Sequence, residues 1–285
     1  MAQADIPAVR PRPSGAYLAV QALAGLAIVG LLGFIGVRGW AILGELRQLQ
    51  GDQARRELSA VVGYIGIHAE PNHARRPDDW CHDEGGQTLL WCGWKDGKHD
   101  WFKIARGDLA TDRISEPMGR DVIRAIDHPI VEGAGGEHWA KIPSAALVAG
   151  LQRDGVRAAY PIVMLAKVEV INDVVAEKPL LVVYRPFATT GESVAAFAPI
   201  VDGRRITMGL SGYLLDRKPI LYDRGTRSLW QERDGALVAV AGPLKGATLA
   251  AVPGVETRVW SDWRSRYPES RLVVGADRKK PRPEL

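Results

Sequence analysis

The sequence predicts a single N-terminal transmembrane helix joined to a β-rich soluble domain, mainly antiparallel and of α+β class. Three observations carry this reading. Tyr17 to Val37 is an apolar run of 21 residues without a charge. From about residue 144 onward, short apolar runs alternate with turn residues. The composition is that of a globular chain, 46% hydrophobic and 25% charged over 285 residues, which suffices for one large domain or two small ones. The net charge of +4 is mild. Acidic and basic residues interleave, so no basic face points to nucleic acid.

Residues 1–15 form a polar, Pro-containing arm. The helix expected over 16–40 contains the run Tyr17–Val37, which meets the ~20 apolar residues that a helix needs to cross bilayer hydrocarbon. Tyr17 and Trp40 stand at its ends, where amphipathic rings favour the interface. A cleaved signal peptide has a shorter apolar core and a small-residue cleavage site, and Val37-Arg38-Gly39-Trp40 offers none. At about 100° per residue, Ala22, Gly25, Gly33 and Gly36 fall on one side of the helix, with Ala19 and Gly30 flanking them. Small residues let a second helix approach closely, so this stripe is a candidate helix-docking face; ordinary membrane-helix composition is the alternative. Lys and Arg are balanced across the anchor, Arg10 and Arg12 against Arg38 and Arg47, and do not orient it.

Residues 41–67 carry apolar positions at helical spacing (Leu43, Leu46, Leu49, Leu58, Val61, Val62, Ile65) and read as a juxtamembrane helix. Residues 68–118 are rich in Trp, His, Gly and Asp and poor in periodicity, and read as an irregular subdomain. Cys81 and Cys92 are the only thiols. In an exported setting they are expected to form a disulfide closing this Trp-rich loop. Two separate thiols, or a zinc site from both cysteines and two of His73, His82 and His99, are the alternatives; the spacing matches no short structural zinc motif. No metal or cofactor is expected.

The β-rich stretch runs over 119–274. Ala145–Gln152 and Val156–Pro161 flank Arg153-Asp154-Gly155, a hairpin signal. Glu169–Val175 and Pro179–Tyr184 flank a second turn, and Val194–Val201 and Arg205–Leu210 flank Asp202-Gly203. Ile220–Asp223, Ser228–Gln231 and Leu237–Val240 continue the series. One helix interrupts it: Ser261 is expected to cap Asp262–Tyr267, with Pro268 as the stop. Residues 275–285 form a basic, Pro-rich tail, a solvated end or a contact for anionic lipid.

Several segments carry a resemblance. They are Ile126-Asp127-His128-Pro129, Ala159-Tyr160-Pro161, Glu169-Val170-Ile171-Asn172-Asp173, Asp202-Gly203-Arg204 and Ser211-Gly212. Leu221-Tyr222-Asp223-Arg224-Gly225-Thr226, Ser228-Leu229-Trp230, Ala241-Gly242-Pro243-Leu244 and Trp260-Ser261-Asp262-Trp263 follow in order. Together they resemble a bacterial family known only as domain of unknown function 3179, from about Gly119 to Val274. The sequence departs from that pattern where chemistry would sit. Members commonly carry a histidine where Val168 stands, and a Cys-Pro-Leu-Cys run where Arg185-Pro186-Phe187-Ala188 stands. The resemblance, with the cysteines, favours the domain lying outside the cytoplasm.

Glu169, Asn172, Asp173, Tyr222, Asp223, Arg224 and Trp230 are the candidate cleft. General acid–base work needs such groups within hydrogen-bond reach of a substrate; the alternative is that they satisfy turns and pair with one another. No Walker, GxGxxG or nucleophile-elbow pattern occurs. The expectation is therefore a non-catalytic accessory or structural subunit of a larger complex in the bacterial inner membrane. Its partners would be other transmembrane subunits and the lipid bilayer, with the C-terminal domain periplasmic. Respiratory or photosynthetic electron-transfer complexes are candidate hosts. The alternative is a membrane-tethered binding domain or enzyme with a site rebuilt from carboxylates and Arg224.

Overall fold

The computed structural model describes residues 76–115, 117–186, 188 and 193–280. The expected anchor, its stripe of Ala22, Gly25, Gly33 and Gly36, and the juxtamembrane helix all lie outside the described residues. Among those residues, no helix is long and apolar enough to cross a membrane.

The Trp-rich stretch is not irregular. It forms an antiparallel meander of β1 (Cys81–Glu84), β2 (Gln87–Lys95) and β3 (Lys98–Ala105). The turns at Gly85-Gly86 and Asp96-Gly97 have the positive φ that tight hairpins require. Periodicity is hidden in β2 because Leu89, Leu90, Trp91 and Cys92 are all buried, so both of its faces are covered.

Both cysteines are free thiols, which corrects the expected disulfide. Cys81 pairs in register with Leu90, so Cys92 sits one diagonal step away on the same face. Diagonal positions stand ~7–8 Å apart, beyond the usual Cα span of a bridge. Instead the Cys92 sulfur receives the Arg227 Nη2 hydrogen at 2.9 Å, and burial pushes its thiol up to about 12.

The chain continues through β4 (Pro129–Glu132), the short helix α1 (Glu137–Lys141), the hairpin β5 (Leu147–Arg153) and β6 (Val156–Pro161), and α2 (Ile162–Val168). Three strands follow, β7 (Val170–Val175), β8 (Lys178–Tyr184) and β9 (Val194–Phe197). Next comes a small hairpin of β10 (Ile200–Val201) and β11 (Arg204–Arg205). Then come β12 (Met208–Leu215), β13 (Lys218–Asp223), β14 (Leu229–Arg233), β15 (Ala236–Ala241) and β16 (Thr248–Leu249). β17 (Glu256–Val259), α3 (Trp260–Arg266) and β18 (Arg271–Ala276) close the described chain. The hairpins fall where the turn signals place them. Helix α2 is not evident in the sequence, because Ile162-Val163-Met164-Leu165 is a short apolar run that periodicity cannot separate from a strand. The cap of α3 also differs: the helix begins at Trp260, Val259 holds the cap position, and no side chain caps it.

The domain is β-rich and mainly antiparallel. The strand orders are β17-β5-β6-β18-β4, β7-β8-β9 and β12-β13-β14-β15-β16, and among the described residues β6–β18 is the one parallel pairing between strands. Three cores join the sheets. Val148, Leu151 and Leu272 pack with α2 and α3 against Ile171, Leu180 and Val182. Val170, Leu181 and Val183, on the other face of β7–β8, pack against Met208, Leu221 and Trp230. Leu90, Phe102 and Ile104 of the meander pack against Tyr213, Ile220 and Tyr222. The β7–β9 sheet is thus covered on both faces, which is why Leu180-Leu181-Val182-Val183 reads as an unbroken apolar run.

One glycine positions the segment that leads into the site. Gly212 has φ +86, and a Cβ there would lie 2.4 Å from the Gly119 carbonyl oxygen. This close approach lets Met118 and Asp121 donate their N–H groups to the Gly212 and Leu210 carbonyls at 3.1 and 2.9 Å. Gly212→Ala is expected to destabilise by more than ~1 kcal/mol, because it combines positive-φ strain with a backbone clash. A thermal melt checks this; an unchanged midpoint would show that the 118–121 segment is not held this way.

Candidate functional site

Strand alternation decides which of the candidate residues meet. Asn172 and Asp173 are neighbours on β7 and so face opposite sides of that sheet. Tyr222 and Arg224 point one way from the end of β13, and Asp223 points the other. The seven residues therefore form separate groups rather than one cleft.

The largest group is a buried clamp centred on Arg224. Its guanidinium lies 2.8 Å from Asp121 Oδ2 and 3.2 Å from Asp127 Oδ2, with all three side chains nearly excluded from solvent. The Tyr222 hydroxyl donates to Asp121 at 2.6 Å, and Arg224 Nη1 reaches the same hydroxyl at 3.1 Å. Asn172 completes the clamp. Its Nδ2 donates to Asp127 Oδ1 and to the Met208 carbonyl, both at 2.8 Å, and its Oδ1 accepts the Met208 N–H at 2.9 Å. Gly209 leaves room for the Asp121–Tyr222 contact, since a Cβ there would lie 2.5 Å from Asp121 Oδ1 and 2.7 Å from the Tyr222 ring. Burial lowers the basicity of Arg224, but Asp121, Tyr222 and Asp127 more than offset it and raise the guanidinium above its ordinary value. Burial, then the Asp121 charge, pushes the Tyr222 phenol well up, so it stays protonated.

Asp223 and Trp230 form a second group, a closed turn. Asp223 accepts from Trp230 Nε1 at 3.0 Å, from the Thr226 hydroxyl at 2.8 Å and from the Ser228 N–H at 3.1 Å. Asp173 belongs to a third. It accepts the Tyr160 hydroxyl at 2.8 Å and both of its oxygens take Arg271 Nη2 at 2.9 Å.

Glu169 stands apart. It occupies the left-handed cap position of α2, with φ +57, and is only 8% exposed. Its backbone is tied in, the carbonyl accepting the Tyr184 N–H at 2.7 Å. Its carboxyl has no hydrogen bond or ion pair among the described residues, and burial alone raises it to about 7. The Tyr184 phenol is raised by burial and then by the Glu169 charge. Arg185 is paired with Glu232.

The model of a family described as "Protein of unknown function (DUF3179)" matches residues 120–283, more than half of the chain. The chain belongs to this family. No curated protein and no solved structure matches it. The clamp is built from the stretches that carry the family likeness: Asp127 from one, Asn172 from a second, Tyr222 and Arg224 from a third. Asp121, Asp127, Tyr160 and Arg271 were not among the candidate cleft residues. Asp127 and Tyr160 lie in the Ile126–Pro129 and Ala159–Pro161 segments and are legible there as polar residues. Asp121 and Arg271 reach their partners only through tertiary packing. Among the described residues, no three His, Cys, Asp or Glu side chains gather as a metal ligand set.

Proposed function

We propose that this chain is a non-catalytic, membrane-anchored accessory subunit of a larger complex. It would be single-pass in the bacterial inner membrane through Tyr17–Val37, with its β-rich domain on the periplasmic face. The supporting observation is the Arg224 clamp. A catalytic carboxylate or guanidinium has to present an open valence to substrate. Asp121, Asp127, Asn172, Tyr222 and Arg224 instead bind one another beneath the surface, as a polar network does when it specifies a packing arrangement, and the Arg224 Nε, which has no hydrogen bond among the described residues, is buried away from solvent. The free thiols remove the disulfide argument for export, so the periplasmic assignment rests on the family resemblance. Purification of the tagged protein in a mild detergent tests the reading. A stoichiometric membrane partner is the expected result, and a lone chain carrying a bound small molecule is the contrary one.

Glu169 favours a second reading, a membrane-tethered binding domain or enzyme. A buried carboxyl with no hydrogen-bond or ion-pair partner among the described residues and a raised proton affinity is the kind of group that functional sites use. It stands alone, however. Among the described residues, Tyr184 is the titratable neighbour its charge acts on, and a rebuilt acid–base site needs a second group in reach.

A further inference from the structure

We propose that the hollow beside the β4–β18 edge is a binding site for a phosphate group, carried by a lipid headgroup or by a small soluble molecule. Two segments 150 residues apart in sequence build it, and they are tied together. Ala276 pairs with Pro129 in the β4–β18 ladder, and the Asp277 N–H donates to the His128 carbonyl at 2.8 Å. Arg124, Asp127 and His128 line one side, and Asp277, Arg278 and Lys280 line the other.

The charge balance selects an anion. Asp127 is ion-paired behind the wall with Arg224 at 3.2 Å, a guanidinium it shares with Asp121, and Asn172 holds its other oxygen. Asp277 accepts the Lys279 N–H at 3.1 Å and stands 4.0 Å from Lys280 Nζ. Arg124, Arg278 and Lys280 face the carboxylates Asp127 and Asp277, and behind the wall Arg224 is offset by Asp121, so one positive charge is in excess before His128 is considered. Arg124, His128 and Arg278 are engaged within the protein, so an anion would join an existing network rather than order loose side chains. Two guanidiniums and an ammonium present the forked and point-charge donors that a tetrahedral oxyanion accepts. The hollow lies where the chain enters its basic tail, so it would fit a headgroup. Only that choice of source rests on the membrane-anchored reading; the site itself does not.

The test uses the full-length protein in a maltoside detergent and inorganic phosphate as probe, titrated calorimetrically at constant ionic strength. Saturable one-to-one binding is expected. Arg124→Gln with Arg278→Gln should weaken it by at least about tenfold, since each charge-assisted hydrogen bond is worth more than a neutral one. Lys280→Gln, at an exposed position, should weaken it too and covers the case in which the double variant misfolds. Lys98→Gln with Lys103→Gln on β3 is the remote control. The titration is then repeated in nanodiscs containing phosphatidylglycerol. Its disappearance there identifies a lipid headgroup as occupant, and its persistence identifies a soluble phosphate; either supports the site. Non-saturable uptake in detergent, or equal weakening by the β3 control, overturns it. Failure of the protein to enter nanodiscs would count against the anchor alone, because the detergent titration stands without it.

Discussion

Arg224→Met is expected to cost about 3–5 kcal/mol of stability, because it strands Asp121 and Asp127 as uncompensated buried charges. For a domain of this size that corresponds to a fall in melting temperature on the order of 10 °C. The cost belongs to the stranded carboxylates rather than to the lost side chain. The combined variant Arg224→Met, Asp121→Asn, Asp127→Asn should therefore recover much of the loss, since Tyr222 and Asn172 can still hydrogen-bond to amides. Calorimetric melts of the three proteins decide the matter. A single variant that melts with the wild type would mean that the clamp is solvated and open, and would revive a catalytic reading of Arg224.

Glu169 should impose a pH dependence of opposite sense to that of a salt-bridged carboxylate. Burial favours its neutral form, so the folded protein holds the proton to about 7, whereas the unfolded chain releases it near the ordinary glutamate value. Its stabilising share is thus fully present below ~4.5 and is lost as pH rises to about 7, by up to about 3 kcal/mol. Glu169→Gln should remove that part of the slope and raise the melting temperature at pH 8, while leaving it unchanged at pH 4. Denaturant unfolding of both proteins across this range measures the difference. Equal stabilities at pH 8 would mean that Glu169 is solvated, and that burial does not set its proton affinity.

The hairpins of the domain were legible because their turns are written in local chemistry. Arg153-Asp154-Gly155 and Asp202-Gly203 carry the positive φ that tight turns need. The meander at residues 81–105 was not legible, since β2 is covered on both faces and shows no alternation. The cysteine pairing failed for a related reason: whether two thiols can meet depends on strand register, and register here puts Cys81 opposite Leu90. Of the candidate cleft, Asn172, Tyr222 and Arg224 do converge. Their neighbours Asp173 and Asp223 do not, and the period of two in a strand was enough to separate them. What no local signal could supply was Asp121. It reaches Arg224 from the 118–121 segment, which lies against β12 where Gly212 permits a close approach.

We propose that the chain works by docking the membrane helix expected over Tyr17–Val37 into an assembly. The helix stripe tests this most directly. In lipid there is little hydrophobic force to draw a displaced helix back, because acyl chains are as apolar as the partner. Gly33→Leu with Gly36→Leu should therefore strip the protein of its partners on purification in mild detergent while leaving membrane insertion intact, since Leu favours insertion. Leu23→Ala and Leu31→Ala, on the opposite face, should leave the complex whole. Recovery of every partner at the wild-type ratio with the double Leu variant would contradict the account.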